Sequence, residues 1–199
     1  MILNDIQIPW QDKPVMDLVL QFMRSVEPNA VVLNGDIIDA YNISDFTKDP
    51  QNETDLNREI AEAEWLMAAI AQVVKGDKWW IGGNHEDRLR RYLWNHPELS
   101  KLNILHFDKL FNLEKYGTSV LHGHTHRLGI YYKRDVRGLH AAWENGCLCR
   151  LDPEYAIHPN WHHGFSMVQV DDGGFFYVEQ IPILNRKTLF YGGKRYDRA

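Results

Sequence analysis

The 199-residue chain holds two cysteines, no apolar run near the roughly 20 residues of a bilayer span, and no excess of basic charge. Each shortage closes off a class of protein. Cys147 and Cys149 form a lone C-x-C, and two thiols fall short of a structural zinc site. On a strand they would share one face without bridging, so they read as packed cysteines in a reducing compartment. The opening "MILNDIQIPW" lacks the basic and apolar regions of a signal peptide. The expectation is a cytoplasmic protein with no membrane partner. A formal net charge of −5 argues against a broad basic groove for polyanions. The local cluster Arg88, Arg90 and Arg91 in "EDRLRRYLWNH" reads as a solvated helix face. There is no internal repeat, low-complexity tract or linker, and 44% hydrophobic with 25% charged residues describes an ordinary globular chain, so one domain over 1–199 is expected.

Against that background the N-terminal two-thirds alternates strand-like and helix-like segments. Ile2–Asp5 is a short apolar strand that runs into a carboxylate. Asp12 is placed to cap a helix with Pro14 in its first turn and Val15, Leu18, Val19, Phe22 and Val26 on one face. "AVVLNGD" (30–36) is a buried-type strand. A long helix is predicted from about Thr54, with Leu56, Ile60, Ala63, Met67, Ile70 and Val74 inward and Gly76 as its stop. "KWWIGGNHED" (78–87) is a further strand that breaks at Gly-Gly, with a helix after it that stops at Pro97. The C-terminal third is different: "LGIYYKR", "LHAAWENGCL", "FSMVQV" and "FFYVEQIPI" are aromatic and β-branched runs, with "DDGG" (171–174) as a hairpin turn. These predict mostly antiparallel strands beside an α/β sandwich.

The strand ends carry the chemistry. Asp5 and Gln7 follow the first strand, Asp36 and Asp39 the second, Asn84 and His85 the third. "SVLHGHTHRLG" (119–129) then sets His122, His124 and His126 on alternate positions after another apolar run. In open α/β sheets the carboxyl ends of strands converge on one crevice. Four strand ends would therefore deliver carboxylate, amide and imidazole donors to one place, a mixture suited to Mn, Fe or Zn rather than calcium.

"NGDIID", "GGNHED" and "GHTH", in this order after "D-x-Q", resemble the calcineurin-like metallophosphoesterases from residue 4 to at least residue 126. That resemblance implies an α/β four-layer sandwich of two mixed β-sheets flanked by helices. It also implies two divalent metal ions, Mn first and Fe or Zn next, and hydrolysis of a phosphate mono- or diester by a metal-bound hydroxide. By the same resemblance Asp36 bridges the metals. Asp5, Gln7 and His126 hold one, Asn84 and His124 the other, and His85, paired with Asp39, faces the substrate. Two cations ~3.5–4 Å apart lower the pKa of a shared water and clamp the phosphoryl oxygens, while an imidazole protonates the leaving oxygen. The substrate is a phosphoester, with nucleotides and nucleic acids both open. The alternative is a degenerate scaffold of the same fold that binds without catalysis.

The chain departs from the family pattern twice. Gln7 stands where the family usually has His, and an amide oxygen is the weaker ligand. The family's further metal-binding His, well upstream of GHxH, has no clear counterpart; His106 and His122 are the candidate substitutes, and His96 reads as a helix end. A strand and helix that the family places before GHTH have no counterpart either, which predicts a shortened member with a loosely held second metal. His162 and His163 beside Trp161 read as loop packing, and Arg127 is left out of the site.

Overall fold

A computed structural model of the chain describes residues 1–48, 55–96, 119–136, 138–153, 159–174 and 176–198. In chain order the first elements are β1 (Ile2–Leu3), α1 (Lys13–Val26), β2 (Val31–Asn34), a 3-10 turn (Tyr41–Ile43) and α2 (Leu56–Val73). Next come β3 (Lys78–Ile81), α3 (Asn84–Asn95), β4 (Val120–His122), β5 (Leu128–Asp135) and β6 (Gly138–Asn145). The last four are β7 (Gly164–Val170), β8 (Phe176–Pro182), β9 (Thr188–Tyr191) and β10 (Lys194–Asp197).

The fold is α/β with two mixed sheets, as expected. One has five strands in the order β3-β2-β1-β7-β8, the first three parallel and the last two antiparallel additions. The other has the order β4-β6-β5, with β4 parallel and β5 antiparallel to β6. Phe22, Leu3, Ile6, Ile8, Leu33, Ile37 and Phe165 fill a core that α1 and α2 close against the first sheet. A smaller cluster, Ala141, Trp143 and Val178 with Leu121 and Val168 against it, joins β6 to β7 and β8. No helix among the described residues is long and apolar enough to cross a membrane.

Local chemistry accounts for the helix starts. The Asp12 carboxylate accepts the Val15 N–H at 3.2 Å, and Val15, Leu18, Val19 and Phe22 are buried. Asp55 caps α2 in the same way through Asn57. Three expectations need correction. The buried face of α2 is Glu59, Ala63, Leu66 and Ile70, whereas Leu56, Ile60 and Met67 are half-buried. The helix is turned so that Glu59 reaches the Ala40 N–H at 2.6 Å. Gly76 does not cap α2, which ends with an extended Val74; a side chain at Gly76 would put its Cβ 1.9 Å from the Asn29 carbonyl oxygen. Finally, α3 begins inside the "GGNHED" motif, because Glu86 caps it by accepting the Gly83 N–H. The predicted stop at Pro97 lies outside the described residues, as does His106.

Candidate functional site

The loops that leave β1 and β2 run side by side. Asp5 N–H donates to the Gly35 carbonyl at 3.0 Å, Gln7 N–H to the Asp36 carbonyl at 2.9 Å, and Ile8 N–H to the Ile37 carbonyl at 2.8 Å. The zipped loops carry two carboxylates inward, Asp5 at 1% exposure and Asp36 at 2%. Glycines press against both: a Cβ on Gly123 would lie 2.4 Å from Asp5 Oδ2, and one on Gly83 would lie 2.2 Å from Asp36 Oδ1. Asp5, Gln7, Asp36, His124 and His126 all adopt left-handed backbone, with φ of 49°, 50°, 53°, 71° and 58°. Non-glycine residues rarely hold that conformation, and it concentrates where surrounding structure imposes a side-chain direction.

Histidines link the carboxylates. The His124 N–H donates to both Asp5 oxygens, at 3.0 and 2.8 Å, while its Nδ1 lies 3.7 Å from Asp36 Oδ2. His126 Nε2 lies 3.3 Å from Asp5 Oδ1 and 3.3 Å from the Gln7 amide nitrogen. The His85 N–H donates to Asp36 Oδ1 at 3.0 Å. Burial alone would push the Asp36 carboxyl up, but His124 and His85 hold it below its ordinary value. Asp36 in turn raises His124. Burial opposes charge on His126, yet Asp5 and the Cys149 thiol carry it up to about 9. Of the six expected ligands, five converge. Asn84 stands at the start of α3 beside Gly83, but its side chain is exposed and bonds none of the other five among the described residues.

His85 Nδ1 sits 2.7 Å from Asp39 Oδ1, with both side chains about one-tenth exposed. The ring N–H is not aligned on that oxygen, so the contact is a close approach rather than a directed hydrogen bond. Arg88 joins them. It donates to the Asp39 carbonyl at 2.7 Å and to Oδ1 at 3.3 Å, and lies 3.2 Å from His85 Nε2. The reading of Arg88 as a solvated face is therefore wrong; at position i+3 from His85 on α3 it shares that residue's face. Arg90 and Arg91 do pair with Asp87 at the surface.

Two further groups escaped the motif reading. Glu86 accepts the N–H groups of Asp36, Ile37, Ile38 and Gly83, which binds the second and third motifs into one body. Its only sequence signal is its place at the end of "GGNHE". Behind Asp5, Ser166 donates to Asn145, Asn145 to Asn4, and Asn4 to both Asp5 Oδ2 and the Gly146 carbonyl. Asn4, Asn145 and Ser166 are fully buried, and nothing in the local sequence couples positions so far apart. His122 lies half-buried with Nδ1 at 2.9 Å from the Gly123 carbonyl, and Arg127 pairs with Glu144 at 2.9 Å. His163 packs as expected, its Nε2 2.8 Å from the Cys149 carbonyl.

Two buried carboxylates that accept from backbone N–H groups and the Asn4 amide, with imidazoles against them, form a donor set that fits divalent cations.

The chain is similar to the Gene 54 protein of Mycobacterium phage D29, 26% identical with 92% of each chain covered, and to that of Mycobacterium phage L5, 24% identical with the same coverage. Both alignments run over 238 positions, more than the 199 residues present, so gaps open within this chain and the relatives carry residues it lacks. The family model for calcineurin-like phosphoesterases matches residues 1–181, which take in every motif at the strand ends, and the chain belongs to that family.

Proposed function

We propose that the chain hydrolyses phosphate mono- or diesters at a two-metal centre, with nucleotides or nucleic acid among its substrates. Asp5, Gln7 and His126 would hold one ion and His124 the other, with Asp36 shared between them and Asn84 joining once its exposed side chain turns inward. Two bound divalent cations, Mn foremost and Fe or Zn next, supply the charge that acidifies water and draws electron density from the phosphoryl group. The observation that carries this reading is the Asp5–His124–Asp36 chain, two buried carboxylates joined through one imidazole-bearing residue.

The protein's own residues do the rest. Asp39 at 2.7 Å from Nδ1 turns the His85 ring so that Nε2 points away from it, the end from which a leaving oxygen takes a proton. Arg88 lies against that same Nε2 at 3.2 Å. A proton on Nε2 and an Arg88 N–H repel at this distance, so His85 acts as an acid only with Arg88 turned off it. An arginine released there is free to bind a phosphoryl oxygen, as a planar donor fork suits.

The test is turnover of nitrophenyl phosphate mono- and diesters with added Mn²⁺, Zn²⁺ or Fe²⁺, alongside metal counting. Wild type turns over and needs added metal, because Gln7 is a weaker donor than imidazole. Asp36→Asn loses metal and activity together. His85→Ala keeps its metal and slows by ~10²–10⁴-fold, the range for general-acid loss. Metal loss in His85→Ala equal to that in Asp36→Asn would overturn the division of roles. No turnover with any ion sinks the hydrolase reading and leaves the binding scaffold.

A further inference from the structure

The His126 ring has two working ends. Nε2 faces Asp5, whereas Nδ1 lies 3.7 Å from the Cys149 thiol. One ligand atom each from His126, Cys147 and Cys149 lie within 4.8 Å of one another, and all three residues are buried. Both cysteines are free thiols. Their backbone is held by three hydrogen bonds to two carbonyls. Leu148 and Cys149 N–H both donate to the Asp5 carbonyl at 3.0 Å, and Cys147 N–H to the His162 carbonyl at 3.0 Å. The His126 ring is held as well, with the Trp161 ring packed edge-on against it at 4.2 Å between centroids. Two thiols from one loop and an imidazole from another are thus gathered in a rigid setting.

We propose that His126, Cys147 and Cys149 form a thiolate-rich site for one thiophilic d¹⁰ cation such as Zn²⁺, distinct from the oxygen-rich centre on the other side of the same imidazole. The dimensions suit it. Zinc bonds of about 2.3 Å to sulfur and 2.0–2.1 Å to nitrogen set tetrahedral donors roughly 3.5–3.8 Å apart. The His126–Cys149 contact of 3.7 Å already has that spacing, and no other pair of the three ligand atoms is more than 4.8 Å apart. The His162 carbonyl oxygen lies beside the cluster, 3.6 Å from Cys147 Sγ. Ligand chemistry separates the two sites: thiolates select soft ions, and the carboxylate pair selects Mn²⁺. Binding at Nδ1 releases the two thiol protons to solvent, with an Nδ1 proton as well where the ring carries one, and leaves Nε2 facing Asp5 and the oxygen-rich centre. The site does not depend on turnover.

The test uses the reduced full chain titrated with Co²⁺, then loaded with Zn²⁺ for X-ray absorption. A sulfur-to-cobalt charge-transfer band is expected, falling by half or more in Cys147→Ser and in Cys149→Ser. The zinc-loaded wild type is expected to show sulfur scatterers at about 2.3 Å. A wild type without the band at saturating Co²⁺, or a zinc shell of oxygen and nitrogen alone, overturns the proposal. Both readouts come from the wild type, so a variant that fails to fold does not decide the matter. An inactive protein that shows the band would fail as a hydrolase and keep this site.

Discussion

Each oxygen of the Glu86 carboxylate accepts two backbone N–H groups, Ile37 and Ile38 on one, Asp36 and Gly83 on the other. Burial and the neighbouring Asp36 raise its pKa, while the bonds from Gly83, Ile37 and Ile38 work in the opposite sense. An amide in its place would keep one oxygen and turn an NH₂ toward two donors. Glu86→Gln is therefore expected to destabilise the protein by on the order of 3 kcal/mol in urea unfolding, since two buried donors lose their acceptor at ~1–3 kcal/mol each. It is also expected to weaken metal binding, because Asp36 loses its anchor. A midpoint within error of wild type would remove Glu86 from this role. The same residue marks how far the site was legible in sequence. Asp5, Asp36, His124 and His126 could be read because each ends an apolar strand within a short motif. Glu86, Arg88 and the Asn4–Asn145–Ser166 chain could not, because their partners lie far along the chain and only folding joins them.

At the scale of elements, α2 shows how a buried polar group sets a helix's rotation. Hydrophobic spacing alone favoured Leu56, Ile60 and Met67, but the fold instead brings Glu59 and Leu66 to the interior. Glu59 Oε2 accepts the Ala40 N–H, and Oε1 has no hydrogen-bond partner among the described residues. Burial raises its pKa to about 7, the Ala40 bond opposes the rise, and Asp39 adds to it. The sign follows. Between the ordinary carboxyl value and about 7 the folded chain keeps a proton that the unfolded chain has lost, so this group's contribution to stability falls as pH rises through that window and then levels. Glu59→Gln, neutral throughout, is expected to match wild type near pH 4.5 and to be the more stable at pH 8, by at most about 3 kcal/mol. Melting curves across that range check this, and a difference independent of pH contradicts it. Elements whose pattern was long and local, such as α1 and the β5–β6 and β7–β8 hairpins, were legible in outline. The β9–β10 hairpin went unread although Gly192 and Gly193 mark its turn, because its strands are short and only half apolar.

For the molecule as a whole, that unread hairpin belongs to the core. It follows residue 181, where the family match ends, yet Tyr191 and Tyr196 set their ring edges on Phe22 of α1 at 5.4 and 5.0 Å. Leu189 is fully buried, and Arg186 in the preceding turn pairs with the buried Asp12 at 2.6 Å, the residue that also caps α1. Ending the chain after Ile183 uncovers one face of α1 and leaves Asp12 without its arginine. Losing a buried leucine removes about 1.5–3 kcal/mol. Each edge-on aromatic pair adds about 0.5–1.5 kcal/mol beyond its area. Together with the uncovered Phe22 face the loss is on the order of 4–7 kcal/mol, comparable to the lower end of the 5–15 kcal/mol that holds a domain folded. The shortened chain is expected to unfold at a much lower urea concentration than wild type, or to show no cooperative transition, although every residue of the candidate centre is still present. Tyr196→Ala in the full chain is expected to lie between the two. A shortened chain that unfolds cooperatively at the wild-type midpoint would show that the matched 181 residues hold themselves together and that the hairpin only decorates them.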